Sequence, residues 1–325
     1  MTAIINTIWG GRISQIVDRQ ISCEWPGGLF QVVDEESNKV VIARTSNALV
    51  SIAYTGVASA DRQWMDCNIA NCLAHEELDL ALIRPGSAYL GRPIHTVIDE
   101  LKINLNGCLN SDRRSRVHDL KVTIVGWHLG RQYRPFAWEL RREAPEPNGM
   151  RYFKLRMSSS RVGKFLRENP NGLWAESLGN PGASINERIG ALGQTEGMTH
   201  DDVEVYLRDA IRQRATETVT VGSDCIGVQL DPRRHDWHVQ VTYYPRPDGP
   251  DVCPFLSPWV LTPRLICAPT ASSSNFGQTS ECGRYALGGF EDGITNLKVQ
   301  TRVPVAHVQE GRGIALDPQP RARVR

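Results

Sequence analysis

Successive residues in the opening of the chain fall on alternate faces of a period-two pattern, with polar and apolar types mixed on both faces. Thr2-Ala3-Ile4-Ile5-Asn6-Thr7-Ile8-Trp9 leads into Gly10-Gly11 and then Arg12-Ile13-Ser14-Gln15-Ile16-Val17-Asp18-Arg19, which reads as strand, turn, strand. Apolar residues fall on both faces of these segments, which predicts a sheet covered on both sides. Trp25-Pro26-Gly27-Gly28 reads as a turn, and Asp34-Glu35-Glu36-Ser37-Asn38 as a polar loop. A second hairpin follows over Asn38–Ala43 and Leu49–Gly56.

The period then changes. Met65, Ile69, Cys72 and Leu73 predict a helix from Ser59 to Leu82, with Ser59 or Asp61 as its cap. Ile94, Val97, Ile98, Leu101 and Leu105 form the stripe of a second helix that starts at Pro93 and stops at Asn106-Gly107. Strands return over Leu120–Trp127, Phe136–Arg142 and Arg151–Met157, followed by a short helix over Arg161–Glu168. Asn169–Pro181 reads as loop. Thr199-His200-Asp201-Asp202 has the form of a capping box and opens a helix with Val203, Leu207, Ala210 and Ile211 on one face. Cys225–Leu230 and His238–Tyr244 read as strands. After the turn-rich Pro245–Pro250 the pattern becomes irregular. The expected organisation is one layered α+β domain over residues 1–245 and a loop-rich C-terminal extension over 246–325.

Composition narrows the function. With 41% hydrophobic and 22% charged residues, the 325-residue chain is of ordinary globular type. A net charge of +1 gives no basis for nucleic acid as the main partner, and no apolar run is long enough for a spanning helix. No secretory signal opens the chain, and eight scattered cysteines read as reduced thiols, so the expected location is cytoplasmic. Cys67-x4-Cys72 with His75 is a poor zinc spacing, and His235 and His238 would point to opposite faces of a strand. No metal or cofactor is expected.

The chemistry centres on Thr2. A threonine hydroxyl is a weak nucleophile until a base takes its proton, and the α-amine exposed by removal of Met1, with a reference pKa of about 7.7–8.0, is poised for that task. The element order, with Thr2, Asp18-Arg19, Asn38-Lys39-Val40 and Tyr54-Thr55-Gly56, resembles the proteasome-subunit-like N-terminal-nucleophile (Ntn) hydrolases. Asp18 stands sixteen residues after Thr2 (18 − 2 = 16), as the acidic residue of that family does. The resemblance implies a four-layer αββα sandwich and a threonine-type amide or peptide hydrolase. In it Thr2 would be the nucleophile, Lys39 the cation beside its hydroxyl, Asp18 the partner that orients Lys39, and the Gly56 N–H an oxyanion donor. It implies a supporting serine at Ser158 or Ser159. The implied partners are a peptide or amide substrate, with neither nucleic acid nor membrane, and further copies of the chain in a homo-oligomer.

The family's Asp-x-x-Ser pair has no counterpart in register within Glu217-Thr218-Val219-Thr220-Val221-Gly222-Ser223-Asp224. Two readings therefore stand: a working hydrolase, or a non-catalytic relative that keeps the sandwich as an assembly or binding module.

Overall fold

Ala3–Trp9 forms strand β1, which turns back as β2 (Arg12–Asp18). The structure, a computed structural model, describes residues 2–25, 29–34, 37–60, 63–78, 83–111, 119–157, 159–192, 198–234, 238–244, 246, 252–256, 258–269, 271–275 and 297–301. In chain order the next strands are β3 (Ile21–Trp25), β4 (Leu29–Asp34), β5 (Val40–Arg44), β6 (Ala48–Gly56), β7 (Ser59–Ala60) and β8 (Gln63–Trp64). Helix α1 (Met65–Ala74), β9 (Ile83–Pro85) and α2 (Ile94–Ser111) follow. Then come β10 (Leu120–His128), β11 (Arg134–Arg142), β12 (Phe153–Met157), α3 (Ser159–Glu168), β13 (Trp174–Gly179), α4 (Gly182–Leu192) and α5 (His200–Glu217). The remaining strands are β14 (Cys225–Leu230), β15 (Val239–Tyr244), β16 (Val252–Leu256), β17 (Trp259–Leu261), β18 (Leu265–Cys267), β19 (Ala271–Asn275) and β20 (Leu297–Thr301).

Among the described residues this is a mixed α/β architecture with two large sheets. One has six strands in the order β13-β1-β2-β14-β15-β20, and the other eight in the order β12-β11-β10-β6-β5-β17-β18-β9. Neighbouring strands are antiparallel except for β15 with β20 and β5 with β17.

Three apolar clusters explain why the strands are apolar on both faces. Ile4, Ile13, Val17 and Ile226 of the six-stranded sheet pack with Ile42, Leu49, Ala53 and Val125 of the eight-stranded one. The alternate positions Ala3, Ile5 and Ile16 turn the other way and meet Ile185 of α4 and Val203, Leu207 and Ile211 of α5. On the eight-stranded sheet, Val41, Ile52, Tyr54 and Val122 meet Ile69 and Leu73 of α1 and Val97, Leu101 and Leu105 of α2. Burying each such Val, Leu or Ile side chain contributes about 1.5–3 kcal/mol.

The polar residues of the same strands are accounted for as well. Asn6 Nδ2 donates to Thr123 Oγ1 at 2.8 Å, Gln15 Nε2 to Asn6 Oδ1 at 2.9 Å, and Ser51 Oγ to Gln15 Oε1 at 2.8 Å. This buried ladder ties the two sheets together, and a one-residue slip of either hairpin would break it.

Four sequence expectations differ from the structure. The first helix begins at Met65 rather than Ser59 and ends at Ala74, where His75 takes a left-handed conformation (φ 57°). Asn68 Nδ2 donates to the carbonyls of Ala60 and Gln63, which holds β7 and β8 outside the helix. Helix α2 runs through Asn106-Gly107 to Ser111, because Leu105 and Leu109 are buried and Asn106 Oδ1 accepts the Phe153 N–H at 2.9 Å. Asn169–Pro181, expected as loop, contains β13, which pairs with β1 from Ala3↔Gly179 to Ile8↔Trp174. The residues beyond 245, expected as an irregular extension, supply β17 and β18 to the eight-stranded sheet and β20 to the six-stranded one.

Candidate active site

Thr2 precedes β1, Asp18 ends β2, and Lys39 precedes β5. The register of the two sheets brings all three together in the interior, where Thr2 is 4%, Asp18 0% and Lys39 2% exposed. Lys39 Nζ donates to Thr2 Oγ1 at 2.7 Å and to Asp18 Oδ1 at 3.1 Å, and it also donates to the Gln20 carbonyl. Three donors thus meet three acceptors, which is the full capacity of an ammonium group. Burial pushes the Lys39 amine below its ordinary range, and the Asp18 carboxylate opposes that shift.

Asp18 is held from several sides. Its Oδ2 accepts the Ala3 N–H at 2.6 Å; its Oδ1 accepts the Gln20 N–H at 3.0 Å and the Gly222 N–H at 3.4 Å besides Lys39. A carboxylate satisfied by backbone donors in this way cannot rotate without breaking several bonds at once. It therefore fixes Lys39, and Lys39 fixes the Thr2 hydroxyl.

Other groups at Thr2 carry signals that sequence reasoning did not pick up. Thr2 N lies 3.1 Å from Thr55 Oγ1, its acceptor. The Thr2 carbonyl accepts the Asn180 N–H at 2.9 Å. Gly179, at φ +84°, passes so close that a side chain there would collide with the Thr2 carbonyl oxygen. Asn180 is held in turn: its Nδ2 donates to Thr220 Oγ1 at 3.0 Å, and its Oδ1 accepts from Arg214 at 2.7 Å. The Glu217–Asp224 segment thus reaches the site through Thr220 and through the backbone N–H of Gly222. One signal for this arrangement was legible, the Gly179-Asn180-Pro181-Gly182 run.

Gly56 closes β6 at φ +108°, on a path where any Cβ would strike the Asp119 carbonyl. A glycine is therefore required there by the backbone alone. Ser158 lies outside the described residues. Met157, just before it, pairs with Trp138 at the edge of the eight-stranded sheet. Cys67 and Cys72 sit on α1, and burial, followed by Cys108, pushes the Cys72 thiol up to about 12, as suits a packing thiol. Among the described residues no group of three His, Cys, Asp or Glu is placed to hold a metal ion, and no helix is long and apolar enough to cross a membrane.

No protein-family profile and no curated protein sequence matches the chain. Solved structures of Anbu and HslV do resemble it. Anbu (Gly-1 mutant) from Hyphomicrobium sp. strain MC1 is 7% identical, covering 71% of this chain and 82% of its own, with a TM-score of 0.46. Eukaryotic HslV from Trypanosoma brucei is 15% identical, over 70% of this chain and 99% of its own, with a TM-score of 0.36. The Anbu complex from Pseudomonas aeruginosa, described as a helical assembly, is 9% identical, over 85% and 88%, with a TM-score of 0.40. Values this low carry no further argument, and what is said of Thr2, Asp18 and Lys39 rests on this chain's own geometry.

Proposed function

We propose that the chain is a four-layer αββα sandwich of the Ntn type and a threonine-type amide or peptide hydrolase, with Thr2 as nucleophile once Met1 is removed. The observation that carries this reading is the buried chain of contacts from Asp18 Oδ1 to Lys39 Nζ, 3.1 Å, and from Lys39 Nζ to Thr2 Oγ1, 2.7 Å. The placement of α1 and α2 on one outer sheet face and α4 and α5 on the other supports the four-layer description.

In this reading the free α-amine takes the Thr2 Oγ proton while Oγ attacks the substrate carbonyl carbon. Lys39, donating to the same oxygen, stabilises negative charge as it develops there. The Gly56 N–H donates to the oxyanion of the tetrahedral intermediate. The C–N bond then breaks, and the ammonium at Thr2 returns its proton to the leaving nitrogen. Water hydrolyses the resulting ester and restores the threonine. While Met1 is attached, Thr2 N is an amide with no basic lone pair, so the intact start codon product is inactive. Several copies of the chain in one assembly and a cytoplasmic location belong to the same reading.

The test compares wild type with Thr2→Ala and Thr2→Ser on a panel of fluorogenic peptide amides. Thr2→Ala abolishes turnover and Thr2→Ser retains part of it. Turnover unaffected by Thr2→Ala would place any activity elsewhere. The reading as a non-catalytic module draws support from Asn180 standing beside Thr2 with Thr220 behind it, in place of a serine and an aspartate. No turnover by wild-type protein that has lost Met1 would favour that module.

A further inference from the structure

The inner face of the eight-stranded sheet carries a row of side chains that leads away from Thr2. Cross-strand registers place Thr55 opposite Lys121, Lys121 opposite Arg141, and Arg141 opposite Lys154. All four lie on the face that looks toward the six-stranded sheet, as their same-face neighbours Ala53, Val125 and Ala137 do. Among the described residues, Lys121 and Arg141 make no ion pair. Arg156, on the next row, pairs only loosely with Glu143, at 3.7 Å with both side chains about half exposed. Lys121 and Arg141 border a cleft of about 310 Å³ whose lining has five cationic side chains against Asp119 and Glu143; of the other three, Arg151 pairs with Asp119, Arg142 bonds Asn110, and Arg156 is the loosely paired one. The whole chain has a net charge of only +1, so this concentration of positive charge is local. Deeper on the same face carboxylates join the cations: Glu139 lies opposite Arg156, and Glu176 of β13 has its carboxyl raised by burial and by Glu139 against the lowering effect of Arg161. The positive row therefore starts beside Thr55 and runs across the strands to Lys154.

We infer that this strip is the leaving-group side of the substrate groove and that it selects acidic residues just after the bond that is cut. The inference rests on the hydrolase reading for the position of the bond. Thr2 N is the atom that would protonate the leaving nitrogen, and it lies 3.1 Å from Thr55 Oγ1. The leaving segment must therefore pass over Thr55. Neighbouring strands are about 4.8 Å apart and an extended peptide advances about 3.3 Å per residue. Lys121 and then Arg141 thus come within reach of the first two or three residues beyond the bond. Two cations without carboxylate partners favour Asp or Glu there over Gln or an apolar residue.

The experiment separates this from the hydrolase reading by measuring binding without turnover. Full-length Thr2→Ala protein is titrated with two fluorescein-labelled ten-residue peptides, one carrying a central run of Glu and its counterpart carrying Gln, at low and high salt. The Glu peptide binds about five- to tenfold tighter at low salt, and salt removes the difference. Lys121→Gln together with Arg141→Gln removes it too. Equal affinity for the two peptides, or a Glu preference untouched by the double substitution, overturns the inference. In parallel, wild-type protein is incubated with an uncharged epoxyketone. Thr2 labelled with no Glu preference removes the acidic subsite and leaves the hydrolase. A Glu preference without labelling removes the hydrolase reading and leaves an acidic-peptide site. Where both hold, sequencing of products from a mixed peptide library shows Asp or Glu enriched after the cut.

Discussion

Replacing Asp18 by Asn changes one atom in the interior and nothing in volume. The two Asp18 oxygens accept from Ala3 N, Gln20 N, Gly222 N and Lys39 Nζ. An amide must place its NH2 at one of the two oxygen positions. The cheaper choice sets it against the Ala3 N–H, donor facing donor; the other sets it against Lys39, Gln20 and Gly222. Either way Lys39, only 2% exposed, loses its counter-charge. Breaking a buried ion pair from one side costs about 3–5 kcal/mol, against a total stability of about 5–15 kcal/mol. Asp18→Asn should therefore shift the urea midpoint, followed by tryptophan fluorescence near neutral pH, by an amount equivalent to about 3–5 kcal/mol. Lys39→Met should cost a similar amount, and the double variant clearly less than the sum of the two, because each single change strands the other's partner. A loss below about 1 kcal/mol for Asp18→Asn, the size of an exposed pair, would refute the reasoning, as would strict additivity of the double variant.

Three further outcomes follow from the geometry. Gly56→Ala should lower the melting temperature, since φ +108° is strained for any side chain by about 1–3 kcal/mol and the new Cβ meets the Asp119 carbonyl; a melting curve that matches wild type contradicts this. Asn180→Ala should lose the bonds to Thr220 and Arg214, about 1 kcal/mol each, and slow electrophile labelling at Thr2 far more than it changes the pH at which labelling is half-maximal; an altered midpoint would give Asn180 a different role. His128, which stacks with Phe136 at 4.3 Å, has its pKa lowered by burial first and then by His95 and Arg134. Its neutral form is favoured in the fold, so this contribution to stability is present above about pH 6.5 and lost as pH falls from there through the lower folded value; equal urea midpoints for wild type and His128→Phe across that window, in relative terms, would contradict it.

What was legible in the chain followed short-range patterns. The β1–β2 hairpin and the Thr199–Asp202 capping box sit in local signals of alternation or capping, whereas Thr2, Asp18 and Lys39 were singled out by the resemblance to the Ntn hydrolases. What escaped lacked them. Trp174-Ala175-Glu176-Ser177-Leu178-Gly179 is a strand at the edge of its sheet, mostly half-buried, so it has no clean alternation, and Pro and Gly on either side disguise it as loop. Reading β13 as loop hid the contact of Gly179-Asn180 with the Thr2 carbonyl. The parallel pairing of β17 with β5 joins segments far apart in sequence, and no turn residue announces such a contact. Gly56 was read as an oxyanion donor, while the close approach of Asp119 is a second, purely steric demand for the same residue.

The central claim is that Thr2 becomes a reactive terminus held by Lys39 and Asp18. The measurement that tests it most directly is the intact mass of the purified full-length protein before and after treatment with an epoxyketone, with the modified residue located by peptide sequencing. The account predicts a protein lacking Met1 that gains one adduct, confined to Thr2 and absent in Lys39→Met. A protein that retains Met1, or one that has lost Met1 and gains no adduct at Thr2, would contradict it.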